Sequence, residues 1–250
     1  MRGSKKNTYV KSQLQRWLLY VFLVANVITM HGCYGGDAKE VERNADSRYY
    51  TFDAATIFQL LDQGSLDIFT LLETTPQPVS QKPFVPSVTV SWTQADFLRV
   101  AQAVQQYIWE EPLGVLELSS MYFTLDCLDV DQGVFSMAVF TFYKVIRTDG
   151  EETRVQYLVR IIPSENLIRT SRAEFYPNIH IMIPIDLNQY PLTVEKALQM
   201  AEERGGTKER SEVDNSCMIN AINESHGWKV LYQTWNEYRW EVIYSISIKP

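Results

Sequence analysis

The sequence predicts an α+β protein of two modules, each a helix followed by antiparallel strands, placed after an N-terminal signal and a short helical segment. Three observations carry this. An apolar pattern at helical spacing begins near Ser91 and gives way to four strand-like runs. The same order restarts at Thr193, with one helix and three strands. Thr93, Leu98 and Ala101 also match Thr193, Leu198 and Ala201, each one hundred positions on, a short match that carries less than the shared order of elements.

The first segment, 1–33, reads as an address. Arg2, Lys5, Lys6, Lys11 and Arg16 precede an apolar run from Trp17 to Met30, and Gly32-Cys33 close it. Basic, apolar and small-residue regions in that order make an export signal. The run is shorter than the roughly 20 apolar residues of a membrane-spanning helix. Gly32-Cys33 at its end resembles the lipobox of bacterial lipoproteins. The resemblance implies that Cys33 becomes the lipidated first residue of the mature chain. An uncleaved single-helix anchor and plain secretion are the alternatives. All three place the rest of the chain outside the cytoplasm, since the basic residues lie before the run.

Residues 34–48 are polar and mixed in charge, and read as a tether. Residues 49–88 read as two short helices and a Pro-rich linker. Asp53 can cap Ile57, Leu60 and Leu61, and Gly64-Ser65 can stop one helix and start the next. Pro76, Pro78, Pro83 and Pro86 then rule out regular helix.

The first α+β module is placed at 89–186. Ser91 and Gln94 have capping-box spacing, and Leu98, Ala101, Val104 and Ile108 continue at helical period. Strands are expected at 115–125, 134–147, 154–163 and 167–176. Asp149-Gly150 marks a tight hairpin between the second and third. The second module is placed at 187–250. Thr193 caps a helix carrying Val194, Ala197, Leu198 and Ala201, and Gly205-Gly206 is expected to end it. Strands follow at 217–223, 228–235 and 238–248. Alternation in the last puts Tyr238, Trp240, Val242, Tyr244, Ile246 and Ile248 on one face.

Leu192-Thr193-Val194-Glu195-Lys196-Ala197-Leu198-Gln199-Met200-Ala201 resembles the opening helix of the PepSY domain, and Trp240-Glu241-Val242 its central strand. The resemblance covers about 60 residues and implies a PepSY- or cystatin-like arrangement of helix on sheet. It also implies an extracytoplasmic module of the kind that acts as an inhibitory or chaperone-like part of protease precursors. It transfers no catalytic residue and no cofactor.

Composition narrows the partners. The chain has 23 basic and 30 acidic residues, and five basic residues but no acidic ones precede Cys33. The exported part therefore holds 18 basic against 30 acidic residues, a net charge of −12. Such a surface disfavours nucleic acid and anionic lipid headgroups, which need clustered Lys and Arg. A cationic partner, a peptide or a wall polymer would suit it, although excess acidity more often serves solubility; the expected partner is an envelope or secreted protein or peptide. Six Trp, 14 Tyr and 11 Phe supply ample material for a core.

No motif names a reaction. His31, His180 and His226 show no metal-ligand spacing. Asp126, Asp129 and Asp131 beside Gly133 lack the order of an EF-hand loop and read as a polar turn. Glu110-Glu111 and Glu202-Glu203 read as solvated helix ends. Cys127 and Cys217 read either as a disulfide, which an oxidising compartment permits, or as two buried free thiols, the preferred expectation. The remaining feature is aromatic: Trp228, Tyr232, Trp235, Tyr238, Trp240 and Tyr244 fall within 17 residues. Most fit the inner face of a sheet. Trp235 and Arg239 fall off that face and are the candidate partner-binding residues. The expected function is non-catalytic binding or modulation in the cell envelope, with an envelope hydrolase or a structural subunit as alternatives.

Overall fold

A computed structural model describes residues 46–51, 57, 63, 78–79, 91–109, 114–148, 150–175, 182–213, 216–224 and 227–249. Cys33, Glu110-Glu111, His180, His226 and most of the 49–88 segment lie outside the described residues. The chain is α+β, and its sheet is antiparallel throughout. The strands are β1 (Asp46–Thr51), β2 (Pro78–Val79), β3 (Glu117–Asp126), β4 (Met137–Thr148), β5 (Glu151–Ile162), β6 (Leu167–Phe175), β7 (Cys217–Asn223), β8 (Trp228–Asn236) and β9 (Arg239–Ile248). They form one sheet in the order β2-β1-β6-β5-β4-β3-β7-β8-β9. The helices are α1 (Gln94–Trp109), α2 (Val194–Ala201) and α3 (Thr207–Ser211).

Most elements fall within a few residues of their expected places, because hydrophobic period and turn chemistry agree there. One does not. Residues 46–51, expected as the end of the tether and the start of a helix, form a strand paired antiparallel with β6 over its whole length. Ser-Arg-Tyr-Tyr-Thr is too short to show a period, and a neighbouring edge decides it.

The strands expected in two modules share this single sheet. β3 and β7 pair from Met121↔Asn223 to Asp126↔Met218. The register therefore puts Phe123 and Ala221 on one face and Thr124 and Asn220 on the other. Both helices pack on the Phe123 face, α1 over β4 and β5 and α2 over β8 and β9. Phe97 of α1 meets Phe123 edge-on at 5.9 Å, and Trp109 meets Tyr157 at 5.0 Å. Phe123 also reaches Trp228 at 5.9 Å, so one core runs under both helices.

The seam between β3 and β7 is fastened three ways. Cys127 and Cys217, at the end of β3 and the start of β7, form a disulfide with Cα atoms 5.4 Å apart. This corrects the expectation of free thiols: the strand register, invisible in the sequence, sets the two residues side by side. The Cys127 N–H donates to the Cys217 carbonyl at 3.2 Å. On the far face Tyr122 and Thr124 hydroxyls donate to Asn220 Oδ1 at 2.5 and 3.0 Å, and Asn220 Nδ2 donates to Gln233 Oε1. Thr124 and Asn220 are buried, so this network satisfies groups that would otherwise be costly.

The helix starts repeat one another. Thr93 N–H donates to Asp96 Oδ2 at 2.9 Å while Thr93 Oγ1 accepts from Asp96 N–H at 3.3 Å, a reciprocal capping box. Thr193 likewise accepts from Lys196 N–H. The cap of α1 is thus Thr93, and not Ser91 as its spacing suggested. Gln94 is freed for another task. Its side-chain Oε1 accepts from Val194 N–H at 2.7 Å, and its own N–H donates to Glu195 Oε1 at 2.6 Å. The two helix N-termini, each with orphan N–H groups, satisfy one another.

The helix that starts at Val194 ends at Gly205, as expected: its backbone, at φ 128°, leaves helical geometry. The chain kinks there, and α3 follows as a separate short helix. Two tyrosines of the sheet hold the kink. Tyr232 donates to Glu202 Oε1 at 2.6 Å, and Tyr244 donates to the Arg204 carbonyl at 2.9 Å. A Cβ at Gly206 would collide with the Tyr232 hydroxyl, so glycine permits the close approach.

Candidate partner-binding surface

The β8–β9 hairpin ends in a tight connection, Glu237-Tyr238, with Glu237 at φ 44°. Asn236 pairs with Arg239 and Trp235 with Trp240. Paired residues share a face, and neighbours along a strand oppose. Trp235 and Trp240 therefore lie together, ring centroids 5.6 Å apart and edge to face. They are 42% and 39% exposed, Val242 is 52% exposed, and Tyr238 at the tip is 86% exposed. These four are nearly half of the large exposed apolar residues among those described. Clustered exposure of this kind marks an interaction site more often than scattered apolar residues do.

The expectation that Trp240 and Val242 share a face with Tyr244, Ile246 and Ile248 fails for a local reason. Tyr232 pairs with Tyr244 but Gln233 pairs with Val242, so Ile243 is an extra residue. A bulge of this type changes the phase of the alternation. Tyr244, Ile246 and Ile248 face the helices with Tyr232, Val230 and Trp228. Val242 and Trp240 turn to the far face with Gln233 and Trp235.

Trp235 is exposed, as expected. Arg239 is exposed too, but its pairing with Asn236 puts it on the opposite face from the Trp235–Trp240 pair. Its Nε and Nη2 both donate to Glu241 Oε1, at 2.9 and 2.8 Å. Asn236 Nδ2 donates to the other carboxylate oxygen at 3.0 Å. Hydrogen bonding from Asn236, then from Arg239, holds the Glu241 carboxyl below its ordinary range. The candidate pair is thus split: Trp235 belongs to the aromatic cluster, and Arg239 anchors the hairpin end.

A second group escaped the sequence. Glu202, expected as a solvated helix end, has a side chain only 14% exposed. It accepts from Tyr232 and from Arg210 Nε at 2.8 Å, and Arg210 Nη2 reaches Asp131 at 2.9 Å. Burial, then the Glu202 hydrogen bond, pushes the Tyr232 hydroxyl well above its usual range. A cleft of about 260 Å³ beside this network is lined by Val130, Asp131, Phe135, Glu195, Leu198 and Glu202. Its three carboxylates are bound by Arg210, the Gln94 N–H and Tyr232, an arrangement that ties α3 to the loop beyond Cys127. The sequence does not reveal it: on a straight helix residues eight apart lie about 12 Å apart, and Glu202 meets Arg210 because the chain kinks at Gly205.

Asp126 Oδ1 accepts from Leu128 N–H, which makes the local turn. No group of three or more His, Cys, Asp or Glu side chains among the described residues could hold a metal ion. No helix among the described residues is long and apolar enough to cross a membrane. Set against known proteins, the chain matches no family model, no curated protein and no solved structure. The PepSY and lipobox resemblances therefore rest on their own residues.

Proposed function

We propose that this chain is a non-catalytic binding or modulating protein of the bacterial cell envelope, held at the outer side of a membrane through Cys33. The observation that carries the binding role is the exposed apolar group at the hairpin end, the aromatic Trp235, Tyr238 and Trp240 with Val242. Aromatic residues left open beside a well-filled core are the usual anchors of protein interfaces. The net charge of −12 beyond Cys33 favours a partner with basic character. We read the fold as two PepSY-like modules fused edge to edge. The matching threonine caps at Thr93 and Thr193 and the exchange between Gln94, Val194 and Glu195 support that reading.

A photo-crosslinking residue at Tyr238, in cells, tests the binding role. The same residue at Leu128, 81% exposed on another loop, is the control. A discrete adduct is expected at 238 and not at 128; equal labelling at both, or none at 238, sinks the reading. The anchor is tested by intact mass of the membrane-fraction protein, native and Cys33→Ala. Loss of residues 1–32 with a Cys33-dependent acyl mass is expected, and a full-length mass unchanged by the substitution defeats it.

A further inference from the structure

We propose that β9 accepts an added strand: an extended, cationic segment of another polypeptide pairs with the β9 edge at Trp240 and Val242 and seats its side chains on the Trp235–Trp240 pair. This rests on the partner-binding reading above and names the partner's chemistry.

β9 is the last strand of the sheet, and β8 is its sole neighbour among the described residues. Which of its backbone groups are open follows from one hydrogen bond. Trp235 N–H donates to the Ser216 carbonyl at 3.0 Å, on the β7 side, so it turns away from β9. In an antiparallel ladder both members of such a pair turn their main-chain groups outward. Trp240, the partner of Trp235, therefore presents its N–H and C=O to the open edge, and Val242, two residues on, does the same. The exposure of both side chains leaves that edge accessible.

Outward N–H and C=O groups in a row are satisfied by an extended chain. A helix has no such row to offer, and a small ligand spans too little of it. Natural sheets blunt a long free edge with charge, proline or a bulge. Here the bulge at Ile243 breaks the edge after Val242, which confines the docking run to the hairpin end where the aromatic residues are. The same edge thus provides main-chain pairing for affinity and the Trp235–Trp240 pair for selection.

Charge selects the partner's sign. Glu241 lies between Trp240 and Val242 on the opposite face, where Arg239 and Asn236 engage it, and Glu237 at the turn adds an acidic charge. The hairpin end is net negative on a chain that is itself strongly acidic. Lysine or arginine at alternate positions of an added strand would complement it.

The test uses the full chain in detergent and a fluorescein-labelled dodecapeptide of alternating lysine and valine with a central phenylalanine. Two companion peptides replace lysine by glutamate or methylate every second backbone amide. Anisotropy is expected to show saturable binding of the basic peptide, weakened about tenfold or more in the glutamate and N-methylated versions. Val242→Pro removes an outward N–H that β8 does not use, and is expected to weaken binding by about tenfold as well. Unchanged affinity for the N-methylated peptide, no saturable binding of the basic peptide, or pairing of β9 with a second copy of this chain overturns strand addition. The N-methylated peptide leaves the protein intact, so a misfolded Val242→Pro variant does not blunt the test. Should strand addition fail while Trp240→Ala still abolishes the Tyr238 crosslink, the partner-binding reading stands alone. Absence of the crosslink in the native chain removes both.

Discussion

β4 and β9 are strands of similar length in the same sheet, yet they are buried in opposite ways. In β4, Ala138, Phe140 and Phe142 face the helices and Val139, Thr141 and Tyr143 face away, and all six are buried. In β9 only Ile248 is buried. β4 lies between β3 and β5, whereas among the described residues β9 has β8 alone. The difference teaches that position in the sheet, more than composition, assigns a strand its role. A strand buried on both faces shows no clean alternation, as in Met137-Ala138-Val139-Phe140-Thr141-Phe142-Tyr143. β9, at the end of the sheet, is left partly exposed and so available for a partner.

The comparison is broken hardest at the centre. Phe123→Ala, next to β4 and fully buried among Phe97, Phe135, Phe140 and Trp228, is expected to cost about 3–5 kcal/mol in urea unfolding. A cost below about 1 kcal/mol would mean that this aromatic cluster is not the core.

The seam that joins the β4 side to the β9 side comes next. Cys127→Ser with Cys217→Ser removes a link between residues 90 apart in sequence. The expected loss is about 2–4 kcal/mol, since the bridge restricts a long loop of the unfolded chain. The reduced native protein should shift its unfolding midpoint by the same amount as the double variant.

On the β9 side the latch at the Gly205 kink can be probed alone. Gly206→Ala forces a methyl group against the Tyr232 hydroxyl and is expected to cost about 1–3 kcal/mol. In a Tyr232→Phe background the cost should shrink, and an unchanged cost would show that the hydroxyl contact is not the cause.

Alkali sharpens the contrast between buried tyrosines and the exposed Tyr238. Burial, followed by the hydrogen bonds that the hydroxyls donate to Glu117 and Glu202, raises Tyr143 and Tyr232 above their ordinary value of 10.0. The folded chain holds these protons more tightly than the unfolded chain. Stability is therefore full below about pH 10 and falls as pH rises above it. Urea midpoints from about pH 9 to about pH 11 should decline, and Tyr232→Phe should flatten part of that decline. A flat profile would contradict the burial of both groups.

The smallest effect belongs to the open edge. Trp240→Ala is expected to change stability by about 1 kcal/mol or less, mainly through loss of its edge-to-face contact with Trp235. A much larger loss would mark the cluster as structural, and so weaken its case as a docking surface.

Much of the architecture is legible along the chain. The helical period after Thr93 and Thr193, the Asp149-Gly150 turn and the strand runs all come from local chemistry, and they place α1, α2 and β3 to β9 within a few residues. Trp235 is legible as exposed because it breaks the alternation of the buried Trp228, Val230 and Tyr232. The far side of β9 is not. One extra residue, Ile243, reverses the alternation, and a bulge leaves no mark in a run of residues that all suit a strand. Nor could the chain show that Thr93 caps α1 while Gln94 reaches α2, since that division depends on the two helix starts meeting.

The sequence by itself determined the class of this protein, its element order, its acidic balance and its aromatic supply, because periodicity, turn residues and charge act over short stretches. Tertiary structure alone decided that both sets of strands join through β3 and β7, that Cys127 meets Cys217, that Glu202 is enclosed by Tyr232 and Arg210, and that Trp240 faces out beside Trp235. Each of these depends on which distant strand becomes a neighbour and in what register. That choice is made by the packing of the whole core, which no local pattern encodes.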